Sequence, residues 1–241
     1  MDISGKVVLI TGASMGIGLA TAQVFSRAGA RLALVARSGV LLAGLVEELR
    51  AQGGEALAIP ADLFDPEQIT RAIAETVAHF GHLDILINNA GQAAAGTVAE
   101  VNVADFRHIV ELNVYAPLLA MQAAIPVMRA HGGGLILNVS SMVSKMCLPG
   151  LGAYAATKAA LNLLSDTARG ELAGENIRVI SIFPRMTATD FSKHSLGNRT
   201  MHRDMHREQR ATPIPVDSAE HVAEKILAAA ILEPAEQYMD A

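Results

Sequence analysis

Val7-Val8-Leu9-Ile10-Thr11-Gly12-Ala13-Ser14-Met15-Gly16-Ile17-Gly18 is the stretch on which the reading of this chain turns. Its four leading apolar residues, without polar alternation, predict a strand buried on both faces. A glycine-rich turn follows. Ile17, Ala20, Val24, Phe25 and Ala28 then recur at helical spacing until Gly29 stops the pattern. Strand, tight turn and helix in that order make the first unit of an α/β sheet.

The same unit repeats along the chain. Arg31–Val35, Ala56–Ile59, Ile85–Ile87, Leu135–Val139 and Arg178–Phe183 read as further buried strands, with helix-period segments between them. Ahead of the stripe Ile69, Ile73, Val77 and Phe80, the run Asp65-Pro66-Glu67 supplies a cap, a proline at the first helical position and an early acid. Repeated strand–helix–strand units with short connections imply a doubly wound parallel sheet, crossed right-handedly, with helices on both faces. Asp217 and Glu220 are spaced as a capping box for a last helix, and Glu236–Met239 is expected to add a short edge strand. No repeat, linker or low-complexity tract interrupts the pattern, so residues 1–241 are read as a single domain. Residues 187–215 break the rhythm: they are polar, charged near Met201–Arg210 and lack an apolar face, which predicts a lid or loop over a site.

Composition agrees with an enzyme-sized core. Apolar residues are 51% of the 241 and charged residues 18%, which argues against disorder. The net charge of −5, with no Lys/Arg block, gives nucleic acid no electrostatic footprint. Val7–Ile10 is too short for a signal-peptide core, and Ile226–Leu232 is far below the roughly 20 residues of a membrane span. The single cysteine, Cys147, suits a reducing compartment. The expectation is a soluble cytoplasmic protein with no membrane or nucleic-acid partner.

The turn Thr11–Gly18 has chemistry of its own. Its glycines, spaced Gly-x-x-x-Gly-x-Gly, allow a tight bend and let backbone N–H groups approach a pyrophosphate at a positive helix end. At the end of the second strand, a carboxylate would grip ribose hydroxyls and repel a 2′-phosphate. Val35-Ala36-Arg37 stands there instead, so Arg37, with a hydroxyl from Ser14, favours NADP(H) over NAD(H).

Tyr154 and Lys158 lie four apart in the helix-rich segment Ala153–Leu172 and project from one face. A free phenol, with a pKa near ~10, is a poor acid–base group at neutral pH. A nearby ammonium would lower that value, so Tyr154 could exchange a proton with a carbonyl oxygen as hydride moves. Ser141 follows the strand Leu135–Val139, at the edge where active sites of such sheets sit, and could hold the same oxygen.

In company, these residues carry a resemblance. Thr11–Gly18, Asn88-Asn89-Ala90-Gly91, Asn113, Ser141, Tyr154-x-x-x-Lys158 and Pro184 follow the order and spacing of the short-chain dehydrogenase/reductase family. The resemblance runs from about Lys6 to Thr189 and through the helix after Asp217. It implies a Rossmann-like fold and hydride transfer between a nicotinamide and a ketone or secondary alcohol. By the same resemblance Tyr154 is the general acid/base, Ser141 orients substrate, and Lys158 tunes Tyr154 and holds the nicotinamide ribose. Asn113 completes a tetrad by holding a relay water. Pro117 supports that reading, because it denies the Asn113 carbonyl its i+4 donor.

The resemblance further assigns cofactor contacts to Gly12, Ser14, Met15, Gly16, Ile17 and Gly18, and to Asp62 and Leu63 at the adenine. Asn89, Ala90 and Gly91 line the groove, Asn88 braces the central strand, and Pro184, Thr187 and Thr189 meet the nicotinamide side. Family members commonly form tetramers or dimers through the helices bearing Asn113 and Tyr154. Arg185 departs from the family, which usually has glycine after Pro184; it either attracts an anionic substrate group or points into solvent.

Other features are weighed against plainer readings. His202 and His206 are four apart but lack a third ligand, so no metal is expected. Cys147 is read as a packing or pocket residue, and Met142, Met146, Met186 and Phe191 as pocket or core. Two alternatives remain: a reductase of 3-oxoacyl groups on a carrier protein, docking through Arg129 and Arg169, and a non-catalytic NADP(H)-binding sensor or scaffold.

Overall fold

The computed structural model describes residues 1–197 and 215–239. Seven parallel strands form the main sheet: β1 (Val7–Thr11), β2 (Arg31–Ala36), β3 (Glu55–Pro60), β4 (Ile85–Asn88), β6 (Gly134–Val139), β7 (Ile177–Phe183) and β9 (Glu236–Tyr238). Their order is β3-β2-β1-β4-β6-β7-β9, so the chain reverses direction of travel between β1 and β4. Such a switch point opens a crevice beyond the carboxyl ends of the strands. The expected strands are present, and Glu236–Tyr238 takes the edge place expected of it. A second, two-stranded sheet pairs β5 (Ala94–Ala95) with β8 (Leu196–Gly197).

Alternate residues of each strand face opposite helical layers, and both layers are apolar, which is why the strands show no polar alternation. Val8 and Ile10 pack with Phe25 of α1 (Gly16–Arg27), Leu42 of α2 (Gly39–Ala51) and Ile226 of α7 (Ala219–Leu232). Val7 and Leu9 pack with Ile69 and Ile73 of α3 (Pro66–Phe80), Met121 and Ala124 of α5 (Ala116–Ala130) and Leu172 of α6 (Gly152–Leu172). Phe25 is fully buried, and a side chain of that size stabilises by about 1.5–3 kcal/mol. One polar ladder crosses this core: Asn88 donates to Asn138 at 2.8 Å, and Asn138 donates to Ser165 at 2.8 Å. Asn88 thus braces the central strands.

The caps are partly as the sequence predicts. Asp65 accepts from the Glu67 N–H at 2.9 Å ahead of Pro66. The Asp217/Glu220 capping box does not form. Ser218 caps α7 instead, accepting from the His221 N–H at 3.0 Å, and Asp217 is committed elsewhere. Helix α4 (Val103–Val110) runs through a π turn, Glu111–Tyr115, straight into α5. The wide turn stands just before Pro117, which cannot supply an N–H. Val103–Ala130 is long and apolar enough, by length and composition, to cross a membrane; here α5 lies against α3, β4 and β6. His202, His206 and most of the expected lid lie outside the described residues.

Candidate active site

A cleft of about 1350 Å³ lies along the carboxyl ends of the strands. Drug-sized ligands occupy about 300–1,000 Å³, so this one has room for more than a single small molecule. Arg37 and Asp62 line one end, the glycine turn and Asn89 to Gly91 the middle, and Ser141, Tyr154, Lys158 and residues 184–195 the other end.

The glycine turn is shaped by close approach. Gly12 has φ +67° and Gly16 φ +55°, a region costly for residues with a Cβ. A Cβ at Gly12 would stand 2.9 Å from the Ala90 Cα, and one at Gly18 only 2.2 Å from the Gly12 carbonyl oxygen. Asn89 locks the turn, donating from Nδ2 to the Thr11 carbonyl at 2.9 Å and to that of Gly12 at 3.3 Å. No side chain caps the start of α1, and Met15, Gly16 and Ile17 line the cleft there. An uncapped helix start, presenting N–H groups to a cleft across tight glycines, fits a pyrophosphate. Ser14, Leu63, Pro184, Thr187 and Thr189 line the same cleft. Gly18 does not. Its part is to let the helix start touch the turn, a packing role rather than a ligand contact.

The tetrad residues come together from three segments. Tyr154 and Lys158 sit one turn apart on α6 and are 8% and 3% exposed. The Ser141 hydroxyl, at the start of a short helical turn after β6, accepts from the Val143 N–H at 3.3 Å and lies near enough to the Tyr154 phenol to favour its charged form. Gly91 separates the other two: a Cβ there would lie 3.2 Å from Asn113 Oδ1 and 3.3 Å from Lys158 Nζ. Asn113 is fully buried behind the cleft. Its Oδ1 accepts from the Gln92 N–H at 2.9 Å, and its Nδ2 donates to the Gln92 carbonyl at 2.8 Å and to Thr157 Oγ1 at 3.0 Å.

The electrostatics correct the expectation for Tyr154. Burial pushes its phenol up, to about 12, against a smaller lowering by the Ser141 hydroxyl. The Lys158 ammonium donates to the Val139 carbonyl at 2.8 Å. Burial also brings Lys158 down to about 8. In this cleft desolvation is the largest cause of both shifts, and it favours the uncharged form of each group.

A profile of the short chain dehydrogenase family matches residues 6–199. The chain belongs to that family. As a short-chain dehydrogenase it is an oxidoreductase acting on CH–OH or C=O groups. It is 37% identical, over 182 residues, to 2,5-dichloro-2,5-cyclohexadiene-1,4-diol dehydrogenase of Sphingobium indicum, covering 76% of this chain and 73% of that one. A short chain dehydrogenase/reductase of Burkholderia phymatum, solved with NAD, superposes with a TM-score of 0.88 at 25% identity, covering 99% and 89% of the two chains. One of Sphingobium yanoikuyae, solved with NADPH, gives 0.83 at 30%, covering 97% and 87%.

Arg185 takes neither of its expected roles in this short-chain dehydrogenase. Its guanidinium makes two hydrogen bonds to Asp217, at 3.1 and 2.9 Å. The docking cations proposed for a carrier protein are also engaged: Arg129 is bidentate to Glu175, and Arg169 bonds Asp166 and the carbonyls of Val179 and Ala235. Cys147 is exposed rather than packed and does not line the cleft. Met142, Met146, Met186 and Phe191 all line it, joined by Leu148 and Leu151, which the sequence did not single out. Gln92 was also hidden. Gripped by Asn113 through its backbone, it donates from Nε2 to the His194 carbonyl at 2.6 Å and meets His108 Nε2 at 3.1 Å. Nothing local in the sequence distinguishes it from any loop glutamine.

Proposed function

We propose that this protein is an NADP(H)-dependent reductase or dehydrogenase of ketones and secondary alcohols, with Tyr154 as the acid/base. The observation carrying the proposal is that Ser141, Tyr154 and Lys158 line the inner end of a cleft whose far end is lined by Arg37. When bound, the nicotinamide gives or accepts hydride. In reduction, the Tyr154 hydroxyl donates its proton to the carbonyl oxygen while the Ser141 hydroxyl steadies that oxygen. A phenol pushed up to about 12 is protonated at neutral pH, which suits the acid role. In oxidation, the phenolate must form first, which calls for a fully charged Lys158. An anionic diphosphate and ribose alongside would favour that charge.

Arg37 is exposed, lines the cleft and makes no ion pair to another described residue. Buried Ala36 before it offers no carboxylate to repel a 2′-phosphate. These two features favour NADP(H) over NAD(H). The diol named for the Sphingobium indicum relative bears secondary alcohols and falls in the same reaction class. A cytoplasmic setting and a homo-oligomer built on the helices bearing Asn113 and Tyr154 complete the reading. The test is NADPH oxidation against ketones, diketones and 3-oxoacyl thioesters, with Tyr154→Phe as control. Tight cofactor binding with no turnover of any compound would replace this reading with a sensor or scaffold.

A further inference from the structure

The substrate end of the cleft is apolar and adaptable. Met142, Met146, Leu148, Leu151, Met186 and Phe191 line it around Tyr154, and the Phe191 ring lies 5.9 Å from the Tyr154 ring. Three of the six are methionines, whose unbranched thioethers repack around bodies of differing shape.

Two of the charges at that end are cancelled by carboxylates. Besides Lys158, whose ammonium donates to the Val139 carbonyl, the described arginine and lysine there are Arg185 and Lys193. Lys193 pairs with Asp190 at 2.6 Å. Arg185 is held by both oxygens of Asp217, with side chains 21% and 8% exposed. The backbone reinforces that pair: Ala188 donates to the Asp217 carbonyl at 2.8 Å, and Asp217 donates to that of Met186 at 2.9 Å. A planar guanidinium satisfied by a bidentate carboxylate has little left to offer a second anion. An anionic substrate would therefore lose its water here without gaining an unengaged arginine among the described residues.

We propose, resting on the function above, that the cleft takes an uncharged carbonyl on a large apolar body, aryl or alicyclic, and that the Arg185–Asp217 pair sets this preference. Asp217 holds in check a cation that would otherwise recruit carboxylates or phosphates.

The experiment compares 4-isopropylacetophenone with 4-acetylbenzoate, which match in shape and differ in charge, and adds a 4-alkylacetophenone series. The uncharged ketone is expected to exceed the carboxylate in kcat/KM by at least about tenfold, as an unpaired buried charge requires. Along the alkyl series, each methylene should add about fourfold until the space is filled. Asp217→Asn should raise the carboxylate-to-ketone ratio by about fivefold or more, since it removes the carboxylate charge that the two guanidinium bonds now answer. The double variant Arg185→Gln, Asp217→Asn carries neither charge and should keep the wild-type ratio, which separates a freed charge from a loosened loop. A wild-type protein that handles the carboxylate as well as the ketone overturns the proposal. So does an Asp217→Asn ratio equal to that of the double variant. Should no ketone turn over, the enzymatic reading falls, and the preference is decided by equilibrium binding of the matched pair to the NADPH-loaded protein, read by cofactor fluorescence. Tighter binding of the ketone sustains the proposal; equal or weaker binding ends it.

Discussion

The Lys158 ammonium donates to the carbonyl of Val139, 2.8 Å away at the end of β6. The amine is thereby tied to the sheet and buried, and burial brings its pKa down to about 8. A lysine so depressed takes up no proton on folding above that value, whereas the unfolded chain still binds one up to its ordinary pKa. Stability therefore rises as the pH climbs from about 8 towards 10, by at most about 3 kcal/mol, and the gain is lost as pH falls through the folded value. Lys158→Met should flatten this rise. Urea unfolding of both proteins from about pH 7 to pH 9.5 measures it, below the region where the raised Tyr154 begins to titrate.

Tyr154→Phe should leave the fold and cofactor affinity intact while lowering kcat by about 10²–10⁴-fold, the usual contribution of a positioned acid or base. Turnover close to wild type would remove Tyr154 from the chemistry.

Arg37→Ala should raise the KM for NADPH by about 10–100-fold, the value of losing a hydrogen bond between charged groups, and leave that for NADH nearly unchanged. Steady-state kinetics with the two cofactors decides this. Equal effects on both would point to a general loosening of the cleft rather than 2′-phosphate recognition.

Asn113→Ala removes three hydrogen bonds and leaves the Gln92 N–H and carbonyl wanting partners, while the Thr157 hydroxyl keeps its bond to the Tyr154 carbonyl. A stability loss of about 2–4 kcal/mol is expected from groups left unsatisfied in the interior. Because the Asn113 main-chain carbonyl survives the change, turnover per folded molecule should fall less than in Tyr154→Phe. Chemical denaturation and active-site titration separate the two effects.

Gly18→Ala should abolish NADPH binding or the fold itself, since the added methyl would stand 2.2 Å from the Gly12 carbonyl oxygen. Gly44→Ala, where a Cβ meets nothing within 4 Å, is the matched control and should be neutral or mildly stabilising. Fluorescence titration with NADPH reads both.

What the sequence reveals of this fold is what depends on near neighbours. Val7–Thr11 and the glycine turn after it are legible because period, turn geometry and helix spacing are local properties. Tyr154 and Lys158 can be placed on one face for the same reason. The β5–β8 pair is not legible, as it joins two-residue strands about a hundred positions apart with no pattern of their own. Nor is the partner of Arg185, 32 residues on, which draws Asp217 out of the capping role its spacing suggests and leaves that role to Ser218. The protonation preferences of Tyr154 and Lys158 also escaped, because depth of burial belongs to the assembled layers and not to the four-residue spacing.

The one-way alignment of the strands carries a consequence for how such a molecule changes over time. The first three strands and their turns furnish the adenosine half of the cleft, while the segments after β6 and β7 surround the reacting carbon. Each half comes from its own stretch of chain. The later stretch, Arg185 and Asp217 included, can therefore be rewritten without renegotiating how the coenzyme is gripped.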